Sequence, residues 1–179
     1  MLERIILNPQ NFQLTLNRLC YQLIENYNDF ADTAIIGLQP RGIFLAKRVV
    51  EQLKNAGSAS NLLTGDLDIT FFRDDFRKHE GLLIPQSTNI NFSLEDKKVI
   101  LIDDVLFTGR TIRSGLDAML NFGRPKKVEL MVLIDRRFNR DLPIQPNYTG
   151  KAVDSIATEK VKVEWKETDG IDQVKLITH

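Results

Sequence analysis

The stretch that decides the fold is Val99-Ile100-Leu101-Ile102-Asp103-Asp104-Val105-Leu106-Phe107-Thr108-Gly109-Arg110-Thr111. Its first four residues are apolar and read as a short buried strand. Residues 111–122 carry the spacing of a helix, so a strand, a loop and a helix start lie close together. In open α/β sheets ligands bind beyond the carboxyl ends of the strands, where this loop belongs. Gly109 lets a ligand approach the backbone closely. Thr108 and Thr111 add hydroxyls, and the N–H groups of a helix start hold an anion with the help of the helix dipole. Phosphate is the natural guest. The adjacent carboxylates Asp103 and Asp104 would repel a phosphate beside them. They suit hydrogen bonds from sugar hydroxyls and a share in holding a divalent cation. A bare Asp-Asp pair is more often a solvated strand end next to a helix cap, but the full string is more specific. Sugar and phosphate in one loop mean a ribose 5-phosphate. Neither Gly-x-x-x-x-Gly-Lys-Ser/Thr nor Gly-x-Gly-x-x-Gly occurs in the chain.

On the N-terminal side, Phe12, Leu16, Leu19, Leu23 and Ile24 predict an amphipathic helix over residues 9–27, with Cys20 and Tyr21 on or beside its buried face. Residues 33–38 read as a strand, Gln39-Pro40-Arg41-Gly42 as a turn and residues 43–55 as a second helix. A strand over 67–70 opens a polar stretch, 73–91, holding Asp74, Asp75, Arg77, Lys78, His79 and Glu80. Long polar connections in compact domains often serve as lids or binding loops. Residues 127–134 read as the next strand. Strands and helices thus alternate from 33 to 135, which predicts an α/β fold with a central, mostly parallel sheet flanked by helices. Beyond Asp135 the pattern changes: Pro143, Pro146 and Gly150 break the chain, and residues 161–165 and 174–178 alternate as antiparallel strands do.

The chain has 179 residues and reads as one domain, 1–179. Lys+Arg and Asp+Glu are both 24, so it lacks the cationic surplus of a general nucleic-acid binder. Cys20 is the only cysteine; no intrachain disulfide can form, which fits a reducing compartment. No apolar run is long enough for a secretory signal or a membrane span, so a cytoplasmic location is expected. The sequons at Asn91 and Asn147 are then chance. Cys20 reads as a core thiol, and His79 as solvated. No Ser/His/Asp or Cys/His set and no zinc spacing is evident.

Residues 99–111 resemble the 5-phosphoribosyl-1-pyrophosphate (PRPP) signature of type I phosphoribosyltransferases: an apolar run, two acids, then Thr-Gly-x-Thr. The variant Asp-Asp-Val-Leu-Phe-Thr-Gly-Arg-Thr-Ile-Arg is similar to that of the PyrR family, the pyrimidine-operon regulator/uracil phosphoribosyltransferases. Further landmarks at residues 36–46, 65–75, 123–125, 135–136, 141–144 and 148–151 extend the resemblance over nearly the whole chain. It implies a type I phosphoribosyltransferase fold with a mobile lid over about 72–91 and a small C-terminal hood over about 141–165. It implies transfer of ribose phosphate from PRPP to uracil, giving UMP and pyrophosphate, with Mg²⁺ as cofactor.

By the same resemblance Pro40, Arg41 and Gly42 form the pyrophosphate loop, and the Pro40–Arg41 peptide is often cis in the wider family. Asp103, Asp104, Val105, Leu106, Phe107, Thr108, Gly109, Arg110 and Thr111 bind PRPP. Asp103 and Asp104 share Mg²⁺ with the substrate. Arg73, with Arg77, helps neutralise the leaving pyrophosphate, so Asp103, Asp104 and Arg73 are the expected catalytic set. Asp135 and Arg136 border the base, and Val153 and Val161 are hood residues near it. Partners implied are PRPP, uracil or UMP, pyrophosphate and further copies of the chain as a homodimer or higher oligomer.

The family also binds pyrimidine-operon RNA through a Thr-Arg-x-x-His pattern, which here becomes Asn17-Arg18-Leu19-Cys20-Tyr21. Its Gly-His after Asp-Arg becomes Arg137-Phe138-Asn139, with Arg140 in place to preserve the following arginine. The catalytic motifs are kept and the RNA contacts altered, so catalysis ranks above RNA attenuation. A purine base is the third reading.

Overall fold

The computed structural model describes residues 2–27, 29–74 and 85–178. In chain order these form β1 (Leu2–Leu7), α1 (Pro9–Asn26), β2 (Thr33–Leu38), α2 (Gly42–Asn55), β3 (Leu63–Leu67), β4 (Lys98–Leu106), α3 (Arg110–Met119), β5 (Lys127–Arg137), β6 (Tyr148–Asp154), β7 (Glu159–Glu164), α4 (Lys166–Asp169) and β8 (Gln173–Thr178). Short 3₁₀ turns occupy Thr70–Phe72 and Leu120–Phe122.

Five strands form the central sheet in the order β3-β2-β4-β5-β6, every pair parallel. Each strand sends alternate side chains to opposite faces. Ile35, Ile100, Ile102, Met131 and Leu133 pack on the side of α1 and α2, while Ile36, Val99, Leu101, Leu130 and Val132 pack with Ile112, Ala118 and Met119 of α3. Both faces are covered, so 99–102 reads as an unbroken apolar run and not as an alternation. α1 begins as expected: Asn8 accepts the Asn11 amide at 2.8 Å, and Pro9 stands in the first turn.

The structure corrects several sequence expectations. β4 does not end at Ile102 but runs to Leu106, because its ladder with β5 continues through Asp103↔Val132 and Leu106↔Asp135. Asp103 and Asp104 are therefore strand residues, held by the sheet, and the loop is only 107–109. The strand expected at 67–70 is β3, Leu63–Leu67, whose Gly65 and Asp66 disguise it. A Cβ on Gly65 would come within 2.9 Å of the Asn89 carbonyl, since Asp66 bridges to Asn89 there. The cis peptide is Gln39–Pro40 and not Pro40–Arg41; a proline nitrogen is where the cis form costs least.

The hood also differs. Tyr148–Asp154, placed in it by sequence, is the fifth strand of the central sheet, paired with β5. The separate small sheet has the order β1-β8-β7 and is antiparallel. It recruits Leu2–Leu7 from the start of the chain, which no local pattern marked as a strand. The expected lid lies partly outside the described residues, Arg77 and His79 among them.

Candidate active site

Three elements converge at the carboxyl end of β4. The first is β4 itself. Asp103 is buried, and its Oδ1 accepts the Asp104 amide at 2.9 Å. Burial and then the neighbouring charge of Asp104 push the Asp103 carboxyl well above the usual carboxylate range. Burial also raises Asp104, with Arg41 and the Val105 amide opposing it. The second element is the turn after β2. Arg41 Nε stands 3.4 Å from Asp104 Oδ2. Gly42 follows, and a Cβ there would meet the Ile102 carbonyl at 2.5 Å and Asp103 Cα at 2.9 Å. Only glycine lets α2 start against the carboxyl end of β4.

The third element is the start of α3. Gly109 has φ +92° and is its N-cap, a conformation glycine adopts without strain. The first-turn amides of a helix have no earlier carbonyl to bind; that of Arg110 is partly met, by Thr108 Oγ at 3.4 Å. Arg73, Asp74, Thr108, Arg110, Thr111 and Ser114 line one small cleft at this helix start. An anion bound there would meet backbone donors, the Thr108 and Thr111 hydroxyls and Arg73, with the Asp74 carboxylate also in the lining and the Ser114 hydroxyl donating to the Arg110 carbonyl. Arg110 is turned outward to Asp141, at 3.0 Å, and to Asp74. Leu106 is buried with the α3-side core, so within the signature its side chain serves packing.

On the far side of the loop the Phe107 ring lies 3.8 Å beneath the Arg136 guanidinium. Arg136 is itself buried, donating to Ser155 Oγ at 2.9 Å and to the Glu159 carbonyl at 2.8 Å. It is a strut between β5 and the chain leading into β7, not a group presented to a base. Asp135 remains at the crevice, paired with Arg140, which also holds the Phe107 carbonyl. Both line a hollow with Pro143, Ile144 and Thr149. Val153 and Val161, expected near the base, are instead buried in the core beneath α1 and α2. On β6 the register that pairs Val153 with Arg136 leaves its side chain facing inward. A separate hollow between α2 and the edge of β3 contains none of the signature residues.

Sequence reasoning missed the links to the small sheet. Arg41 reaches Asp169 Oδ2 at 3.2 Å and the Val163 carbonyl. Asp169 also accepts the Trp165 amide at 3.0 Å. The Thr168 hydroxyl donates to it at 2.8 Å as well, and the Trp165 amide, this hydroxyl and Arg41 hold the Asp169 pKa down at about 2. No motif marks these residues; only the tertiary fold brings them to β4. Among the described residues no three Asp, Glu, His or Cys side chains form a metal cage. Mg²⁺ needs less than that, since one or two carboxylates complete its shell with substrate phosphates and waters. Asp103 and Asp104 fit this requirement.

A parallel sheet with an acidic strand end, a Thr-Gly helix start and a facing arginine turn defines a type I phosphoribosyltransferase. The phosphoribosyl transferase domain family matches residues 4–168. Among solved structures, a hypoxanthine phosphoribosyltransferase of Staphylococcus aureus superposes with a TM-score of 0.70 at 18% identity, covering 96% of this chain and 90% of that one. That of Trypanosoma cruzi superposes at 0.72 with 13% identity, covering 98% and 91%. Such identities establish the fold alone. Sequence relatives are nearer: the bifunctional protein PyrR of Desulfosudis oleivorans is 44% identical over 173 residues, 97% of this chain and 95% of that protein. That of Endomicrobium trichonymphae is 46% identical over 177 residues, 97% and 98%. The chain belongs to the PyrR family of phosphoribosyltransferases.

Proposed function

We propose that the chain transfers the 5-phosphoribosyl group of PRPP to uracil, forming UMP and pyrophosphate. The observation that carries this reading is the joining, at one crevice, of Asp103 and Asp104 on β4, the α3 N-terminus behind Gly109 and Arg41 on the facing turn. The 5-phosphate fits the helix start, where Thr108, Thr111 and backbone amides donate to it. Asp103 and Asp104 accept hydrogen bonds from the ribose hydroxyls. Pyrophosphate then lies towards Arg41, whose forked guanidinium suits its oxygens. The C1–oxygen bond to pyrophosphate breaks, a ring nitrogen of the base bonds to C1, and the base loses that nitrogen's proton. The transition state gathers positive charge on the ribose ring, so fixed carboxylates stabilise it and no protein nucleophile is needed. Mg²⁺, held by Asp103 or Asp104 together with substrate oxygens, would supply charge neutralisation to the leaving group.

We rank catalysis above RNA attenuation, and one contact outside the site bears on the RNA pattern. Arg18, the residue shared with the family's RNA pattern, is tied to the Gly150 and Thr149 carbonyls of β6. We also propose that the chain assembles into a homo-oligomer. Among the described residues no helix is long and apolar enough to cross a membrane, and we place the activity in the cytoplasm. Incubation with labelled uracil, PRPP and Mg²⁺ tests the enzyme, and competition with hypoxanthine and guanine tests the base. No UMP from folded protein sinks the reading. A UMP-dependent gel shift of pyrimidine-leader RNA, absent with unrelated RNA, would favour the regulator.

A further inference from the structure

Residues 107–109 are the whole connection between β4 and α3. Its carbonyls lie outside both elements and need partners of their own. Segment 140–144 supplies them from 33 residues further along the chain. The Arg140 guanidinium donates to the Phe107 carbonyl. The Asp141 and Leu142 amides both donate to the Thr108 carbonyl, at 3.0 and 3.2 Å. Gly109 is packed by the same segment: a Cβ there would stand 3.3 Å from Ile144 Cδ1 and 3.5 Å from Leu142 Cβ.

The segment is itself stiff. The Ile144 amide donates to the Leu142 carbonyl at 2.7 Å, closing a three-residue turn around Pro143. Arg140 is only 22% exposed, and its second terminal nitrogen donates to Asp135 Oδ1 on β5. Asp135 stands opposite Leu106, the last residue of β4, in the β4–β5 ladder. The strand pair that delivers the loop therefore also delivers the acid that holds its clamp. A planar guanidinium bridging a strand carboxylate and a loop carbonyl fixes the direction of that carbonyl. The peptide between Phe107 and Thr108 is planar, so the Thr108 amide points opposite to the held oxygen. The Thr108 carbonyl sets the Gly109 amide in the same way. Both amides face away from segment 140–144.

We propose that Arg140 is a positioning residue for the 5-phosphate: through the Phe107 carbonyl it aims the Thr108 amide at the phosphate, and Asp135 keeps its guanidinium in place. This rests on the PRPP reading of the site. Arg140 does not serve as a phosphate ligand, because both its terminal nitrogens are committed elsewhere and the Asp135 carboxylate neutralises its charge.

Ribose 5-phosphate carries the phosphate without base or pyrophosphate, and calorimetry follows its binding to the full-length protein. Arg140→Met keeps an unbranched side chain and deletes the clamp. Kd for ribose 5-phosphate and KM for PRPP should each rise about tenfold, with KM for uracil unchanged. Asp135→Ala separates position from charge. If charge alone mattered, removing an acid near an anion site would tighten binding; if the acid holds Arg140 in place, Kd for ribose 5-phosphate should instead rise about threefold. Unaltered affinity in folded Arg140→Met overturns the proposal, and so does tighter binding by Asp135→Ala. Should Arg140→Met fail to fold, the sign of the change in Asp135→Ala decides. Wild-type protein that binds neither ribose 5-phosphate nor PRPP overturns the active-site reading and this proposal with it.

Discussion

Arg41 Nε stands 3.4 Å from Asp104 Oδ2, and the same guanidinium reaches Asp169 Oδ2 at 3.2 Å. One side chain of the β2–α2 turn therefore joins the acidic end of the central sheet to the small sheet. The arginine is 37% exposed, so solvent screens both pairs and neither contributes much to stability. In the proposed reaction its role is to hold pyrophosphate. Arg41→Lys keeps the charge but loses the fork, and KM for PRPP is expected to rise about tenfold with a smaller change in kcat. Initial rates at saturating uracil check this; an unaltered KM would leave Arg41 as a tie to the small sheet only.

Asp103→Asn should stabilise the protein and disable it. The carboxyl is buried beside Asp104 and its pKa is raised. For an acid, a raised folded-state pKa means that stability is fullest below the unfolded value and is lost as pH rises through the folded one. Ionising this buried group costs stability. Asparagine keeps the acceptor for the Asp104 amide without the charge, so the melting temperature at pH 7 should rise by about 2–4 °C. Turnover should fall about a hundredfold. The stability gain should vanish in acid, where the wild-type group is already protonated.

Asp169 behaves in the opposite sense. Its pKa is depressed to about 2 from 3.8 by the Trp165 amide, the Thr168 hydroxyl and Arg41. Its contribution is present above the unfolded value and is lost as pH falls through the folded one. Asp169→Asn is therefore expected to lower stability at neutral pH and to flatten the pH dependence of unfolding between 3.8 and about 2. Urea midpoints across that range measure it. Parallel curves for variant and wild type would remove Asp169 from the acid transition.

Arg136→Lys tests the strut beneath the signature loop. Lysine keeps a cation but loses the planar stack on Phe107 and most of the bonds to Ser155 and the Glu159 carbonyl. A loss of about 2 kcal/mol is expected, seen as a lower urea midpoint with an unchanged slope. A catalytic defect at full stability would instead return Arg136 to the base site.

The apolar run at 99–102, the acids after it and Gly109 are local features. Each works through chemistry that a short segment carries by itself: burial on both faces, a left-handed cap, a helix dipole. That is why the α/β class and a glycine turn leading into a helix were legible from the sequence. The extent of β4 was not legible, because Asp103 and Asp104 are strand residues only through their ladder with β5. Nor was β1, which exists because β8 pairs with it from the other end of the chain. Val153 and Arg136 lie beside the expected base site in sequence, but register and the strut to Ser155 turn them into packing. The chain of contacts from Asp104 through Arg41 and Asp169 to the Trp165 amide joins residues far apart in the sequence. Sequence alone determined what chemistry the strand end could perform. Tertiary structure decided which donors face it, because hydrogen bonds and ion pairs act over a few ångströms of space and sequence separation says nothing of that distance.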